Sequence, residues 1–348
     1  MNRPLMLVQI GLAMAVGLAT MVLFPLVAPL YGVINATLYT SMAIFALSLA
    51  LLWGFAGILC FGQSAFFGLG AYAYAIAAIN FGDTTIACAF AILVPVLFAA
   101  ALGYFLFYGR LSDVYLGVIT LTVTLILFKL INSTGGDSWR IGKARIGGFN
   151  GIPDTPPLRV PFGGEILSPT QLFVFAIICL VVVYTFCKWL ALTRFGRAIA
   201  AVRENEVRAE LLGYNAKRLK LAIFCISAGL AGLAGLLFAN TVFVSPTIFG
   251  LSMAAQVLIW VIVGGLGTFV GPVVASIVLQ MVAVYFGKLG WIDPNIVLGA
   301  LLIAFVVFVP SGLLPTATRI AGILKNRAGS RGRAGQALPG EVGERQVS

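Results

Sequence analysis

Apolar residues run in blocks of about twenty along most of this chain, with short polar interruptions between them. A membrane-crossing helix needs about 20 such residues, because about 1.5 Å of rise per residue must cover a hydrocarbon core about 30 Å thick. By that rule the pattern predicts ten spans, at 5–26, 33–53, 58–80, 86–108, 114–131, 171–190, 219–242, 251–265, 270–286 and 292–309. The first follows one early basic residue, Arg3, and no small-residue cleavage site interrupts it, so it reads as a span and not as a cleaved signal peptide. The spans at 251–265 and 270–286 are short, which leaves a re-entrant or broken helix open at either. The expected fold class is an all-α polytopic membrane protein of about ten transmembrane helices. A membrane domain fills 1–318, and a basic, Gly- and Ala-rich tail expected to lack order fills 319–348.

Two interruptions are longer than a turn needs. One, 132–170, carries G-G-D-S-W (135–139) and G-G-F-N-G-I-P-D-T-P-P (147–157). Gly, Pro, Asn and Asp set turns, so this reads as a structured loop of functional length. The other, 191–218 with its flanks, is the most charged stretch of the chain. Between Lys188 and Lys220 lie eight of the 22 basic residues and three acids, Glu204, Glu206 and Glu210.

These charges orient the spans. With the N-terminus inside, six spans return the chain to the cytoplasm at Lys188, and four more return the basic tail there, as the positive-inside rule requires. The short connection at Arg110 also falls inside, and 132–170 falls outside. Four basic residues of that outer loop (Arg140, Lys143, Arg145, Arg159) weigh mildly against this placement.

Composition supports the membrane reading. Hydrophobic residues make up 61% and charged residues 9%, with mean hydropathy +1.06. A soluble domain carries about 25% charged residues. The net charge of +11 is explained by the two cytoplasmic clusters and not by nucleic acid. The five cysteines form no CxxC pair and histidine is absent, which removes the usual zinc sites, Ser-His-Asp and Cys-His arrangements and His-held haem.

Within the charged stretch, 203–213 reads as a short amphipathic helix capped by Gly213, after a first short element at 192–202. Such a helix can lie on a lipid surface. Three acids among five arginines favour instead a protein partner with a groove. Charged residues are almost absent from the spans, so a solute pathway would be uncharged. Gln63, Ser64, Thr120, Thr122, Thr124, Asn240 and Gln256 are its candidate lining, each with a helix–helix hydrogen bond as the alternative role. The glycine runs have two readings as well. One is close helix packing; the other is that Gly264 and Gly265, with Gly267 and Gly271, break a helix and expose backbone to the pathway.

The stretch 193–235 resembles the permease subunits of bacterial branched-chain amino acid ABC importers. So do L-W-G-F-A-G-I-L-C-F-G-Q-S-A-F-F-G-L-G-A-Y (52–72), V-S-P (244–246), V-I-V-G-G-L-G-T-F-V-G-P (261–272) and F-V-P-S-G-L (308–313). The resemblance covers roughly 35–315. It implies a permease in the bacterial inner membrane, paired with a sister permease. It also implies two cytoplasmic ATPase subunits, which use the ATP, and a periplasmic binding protein that delivers substrate. Coupling to the ATPases then maps onto Arg203, Glu204, Glu206, Arg208, Glu210, Leu211, Leu212 and Gly213. The chain has no G-x4-G-K-[ST] phosphate loop of its own, so no cofactor and no catalytic residue is expected in it. Gln63 stands where many members carry His, and this form is also similar to urea and short-amide permeases, which share the architecture. A stand-alone secondary carrier is the remaining alternative.

Overall fold

The computed structural model describes residues 3–109, 111, 113–136, 138–153, 155–160, 164–289, 296, 299, 300 and 303. The helices are α1 (Arg3–Val27), α2 (Leu30–Leu49), α3 (Gln63–Phe81), α4 (Thr84–Tyr108), α5 (Asp113–Ser133), α6 (Pro169–Leu192), α7 (Arg194–Glu204), α8 (Glu206–Leu211), α9 (Ala216–Ala239), α10 (Leu251–Gly264) and α11 (Val270–Leu289). Among the described residues, eight helices are long and apolar enough to cross a membrane. Apart from four residues, 296, 299, 300 and 303, the tenth predicted span, 292–309, lies outside the described residues, as does the whole tail.

Four differences from the sequence pattern matter. The second span continues past α2 in a wide turn, a π-helix over Ala50–Phe55. The third starts only at Gln63, because 56–62 is irregular and turns at Gly57. The helix expected over 203–213 is two pieces. Asn205 adopts an extended φ of −158°, ends α7 and caps α8 with its side chain. Asn is favoured at N-caps because its oxygen accepts from the orphan backbone N–H groups of the first turn. Finally, α10 has 14 residues, about 21 Å of helix, too short to cross alone. Its approach, a 3-10 turn over Pro246–Phe249, dips into the bundle: the Phe249 ring lies against Gly68 and stacks obliquely on Tyr72, 5.5 Å between centroids.

The interior is built from α2, α3, α4 and α9. Of the span ending in the wide turn, 78% is buried, against 6% of residues 10–27 of α1, which leans on α6. Glycine lets the central helices meet backbone to backbone: Gly70 of α3 abuts Gly232 of α9, and Gly235 abuts the backbone of α3 at Phe67 and Ala71. The close-packing reading of this run is therefore what the fold uses, as expected where helices associate by van der Waals contact. The Ser41 hydroxyl adds a bond to the Ala234 carbonyl at 2.9 Å.

At the end of the bundle opposite α7 and α8, the described residues between 134 and 168 form a cover. A hairpin pairs β1 (Arg140–Ile141) with β2 (Ala144–Arg145), Arg140 opposite Arg145. Asn80, at the end of α3, clamps it by donating to the Ile141 carbonyl at 2.9 Å and accepting from the Lys143 amide at 2.7 Å. The Ile152 amide donates to the Val244 carbonyl at 3.0 Å, which ties the cover to the dipping segment.

Candidate functional site

The α7–α8 loop is held from inside and open outside. Thr193 accepts from the Gly196 amide, Asn205 from the Arg208 amide at 2.9 Å and Asn215 from the Arg218 amide at 3.0 Å, so each helix of this end begins on a side-chain cap. Val202, Ala209 and Ala216 form a small core with Leu219. A 2.7 Å ion pair from Lys220 to Glu206 ties α8 to α9. Gly213, at φ +88°, closes α8 in the left-handed cap that the sequence predicts. The opposite face carries Val207, Leu211 and Leu212, which are 68%, 82% and 77% exposed, flanked by exposed Glu204, Arg208 and Glu210. An apolar ridge that stays this exposed on an anchored helix suits a protein groove.

Arg203 points the other way, toward the membrane bundle. Its Nη1 donates to the Gly54 carbonyl at 2.7 Å and, more weakly, to the Phe55 carbonyl at 3.4 Å. These carbonyls end the wide turn and lack a following helical turn to bond them. A guanidinium at a helix C-terminus also meets the negative end of the helix dipole. Gly54 in turn packs against the backbone of Gly267, and the Phe55 ring lies 6.2 Å from Phe269. Gly267 and Phe269 form the corner between α10 and α11. There Gly264 abuts the backbone of Gly271 and Pro272, and Gly265 adopts φ +100°. The glycine cluster thus breaks one helix from the next.

Gln63 heads α3 in the fully buried centre of the bundle. Its Nε2 donates to the Ser48 hydroxyl at 2.9 Å and to the Ser227 hydroxyl at 2.8 Å. Ser48 donates its own proton to the Phe45 carbonyl, and Ser227 donates to the Ser48 carbonyl. Both hydroxyls can then only accept from Gln63, which sets the amide orientation. Among the described residues its buried Oε1 has no hydrogen-bond partner, nor has the Ser64 hydroxyl beside it. Each such orphan costs about 1–3 kcal/mol unless something fills it.

The remaining candidates scatter. Thr120 and Thr124 are buried on α5 and bond back to the Gly117 and Thr120 carbonyls, both at 2.9 Å, and Thr120 packs against Gly62. Thr122 bonds to Val118 and faces outward. Asn240 accepts from the Leu158 amide at 2.7 Å and lies 3.2 Å from the Tyr74 hydroxyl, so it pins the cover onto the bundle. Gln256 is half-buried on α10. The structure joins Gln63 to Ser48 and Ser227, and separately links Arg203 through Gly54 to Gly267 of the α10–α11 corner. It does not gather all the predicted lining residues around one void. Ser48, Ser227 and Gly54 carried no sequence signal, because a lone serine or glycine in an apolar helix looks like any packing residue until its partner is known.

The family model for the permease component of branched-chain amino acid transport systems matches residues 31–306. The chain is similar to the high-affinity branched-chain amino acid transport system permease protein LivM of Escherichia coli K12, 32% identical over 84% of this chain and 72% of that one. The LivM protein of Salmonella typhimurium is 30% identical over 80% of this chain and 69% of its own length. A shorter likeness, 30% identical over 38% of this chain and 45% of the relative, joins it to the LivH permease of Escherichia coli K12. No solved structure matches. With the family model spanning most of the chain, this chain belongs to the branched-chain amino acid transport permease family.

Proposed function

We propose that this chain is one of two unlike membrane subunits of an ATP-driven importer of branched-chain amino acids, with the α7–α8 loop as the docking point for an ATPase. The single observation that carries the docking is the exposed ridge of Val207, Leu211 and Leu212 on a helix otherwise tied down by caps, an ion pair and its own small core. In this reading the loop faces the cytoplasm and the pinned 134–168 cover faces a substrate-binding protein outside the inner membrane. The partial likeness to LivH supports a sister permease of related sequence as the second half of the pathway. The sequence has no G-x4-G-K-[ST] phosphate loop, which supports placing ATP hydrolysis in the partners.

The pathway runs past the head of α3, where the Gln63 side-chain carbonyl and the Ser64 hydroxyl have no hydrogen-bond partner among the described residues, and along the break between α10 and α11. A lining without fixed charge suits a zwitterion that must be released and not held. Thr120, Thr124 and Gln256 are secondary candidates for that lining. Asn240 serves the cover.

The test is assembly and transport. Replacing Leu211 and Leu212 by Ser removes apolar contact from an exposed face and leaves the fold intact. The ATPases should then be lost from the purified complex, and leucine uptake should fall with them. Full retention of the ATPases by the double variant would refute the docking surface.

A further inference from the structure

Arg203 belongs to the docking loop by sequence but to the membrane bundle by contact. We propose that Arg203 is a positioning residue that ties the loop to the wide turn ending α2, and so to the α10–α11 corner, instead of touching the ATPase. This rests on the reading of the loop as the ATPase dock. Three independent observations carry it.

The first is direction. Val207, Leu211 and Leu212 face outward, whereas the Arg203 guanidinium turns back and donates to Gly54 and Phe55, about 150 positions earlier in the chain. The second is fit. A methyl group added at Gly57 would lie 2.8 Å from the Arg203 Cγ, so the chain after the wide turn is shaped around the arginine stem. Gly57 also has φ +77°, which other residues rarely adopt. The third is where the tie leads. Gly54 sits between the arginine on one side and Gly267 on the other, with Phe55 beside Phe269, so a displacement of α7 reaches the corner through two contacts.

The wide turn is itself the element able to respond. A π turn over Ala50–Phe55 is a rare geometry held by i to i+5 bonds, and such turns occur mostly as insertions at functional sites. Here the Ala56 amide bonds to Leu51 and the Ile58 amide to Leu52, while Gly54 and Phe55 rely on Arg203. Pulling or releasing that arginine changes the two side-chain bonds on the last carbonyls of the turn. Movement of the docked loop then becomes movement of the corner next to the Gly264–Gly265 break, with α8 as the handle and Arg203 as the link.

The experiment uses the full importer: this chain with its sister permease, the ATPases and the binding protein, reconstituted in proteoliposomes. Leucine uptake and ATP hydrolysis are measured in the same vesicles. For Arg203→Ala the ATPases should remain in the complex and basal hydrolysis should persist. Uptake per ATP should fall about tenfold, the effect of losing one charge-assisted hydrogen bond from the coupled state. Arg203→Lys, which keeps the charge but lacks the Nη1 that donates to both carbonyls, should lie between. Wild-type uptake per ATP in Arg203→Ala overturns the proposal. So does loss of the ATPases in that variant, because it makes Arg203 a docking contact. If Arg203→Ala fails to assemble as a membrane protein at all, Arg203→Lys decides, and wild-type coupling there overturns the link. The Leu211→Ser, Leu212→Ser variant separates the two readings: it tests the dock through ATPase retention, whereas Arg203 is read through coupling in complexes that have kept theirs.

Discussion

The amide nitrogen of Gln63 donates to the hydroxyl of Ser227 across 2.8 Å, joining the head of α3 to the middle of α9 inside an otherwise apolar bundle. With Ser48 on α2 as the other acceptor, one side chain holds three central helices. Gln63→Ala should therefore destabilise the purified protein by about 1–3 kcal/mol, and Ser227→Ala by less, since Ser48 still accepts from the amide. Thermal unfolding in detergent measures both. The double variant should cost less than the two single losses added together, because the groups share one network.

Asn240→Ala removes the acceptor for the Leu158 amide and the partner of the Tyr74 hydroxyl. The cover should loosen without loss of the bundle. Limited proteolysis should then cut the 155–160 segment several-fold faster, while the melting transition shifts by about 1–2 kcal/mol at most. Unchanged cleavage would mean that the cover is held elsewhere.

Asn205 acts through the cap of a six-residue helix. Asn205→Ala should cost about 1 kcal/mol locally, fray α8 and reduce ATPase retention in the complex. Asn205→Asp, which keeps a side-chain acceptor and places a negative charge at a helix N-terminus, should retain wild-type assembly. The contrast between the two variants separates capping from any contact made by the amide itself.

Gly70 and Gly232 touch backbone to backbone. A methyl at either has no room, so Gly70→Ala should destabilise by about 1–3 kcal/mol, and Gly70→Leu should abolish accumulation in the membrane. Gly11, which has open space around it, should tolerate Ala with little change. Expression and melting of the three variants make the comparison.

Cys60 lies in the 56–62 connection, fully buried. Burial pushes its thiol up from 9.0 to about 11. The raised value means that the folded state favours the neutral thiol. The contribution to stability is complete below the unfolded value near 9 and is lost as pH rises through about 11. Maleimide should leave Cys60 unlabelled at pH 7 and at pH 9 in the folded protein and label it at once after denaturation, as read by mass spectrometry.

The sequence by itself determined the class of this protein, because spanning lipid imposes a one-dimensional rule. Every backbone polar group must be satisfied within the segment, so a helix of about twenty apolar residues is forced and can be read by counting. The cytoplasmic-type cluster around Arg203 and the cap at Gly213 were legible for the same reason: charge runs and helix stops are local. What only the tertiary structure decided is which way side chains face. The apolar blocks show almost no amphipathic asymmetry, so nothing local separates an α3 buried among its neighbours from an α5 largely exposed. Asn240, a pathway candidate by composition, became a pin for the cover because Leu158 lies beside it, a pairing across 82 positions. Arg203, by sequence one basic residue among eight, was separated from Arg208 only when its guanidinium met the carbonyls of Gly54 and Phe55. Such pairings depend on how helices distant in the chain come to lie side by side, and spacing along the chain carries no record of that.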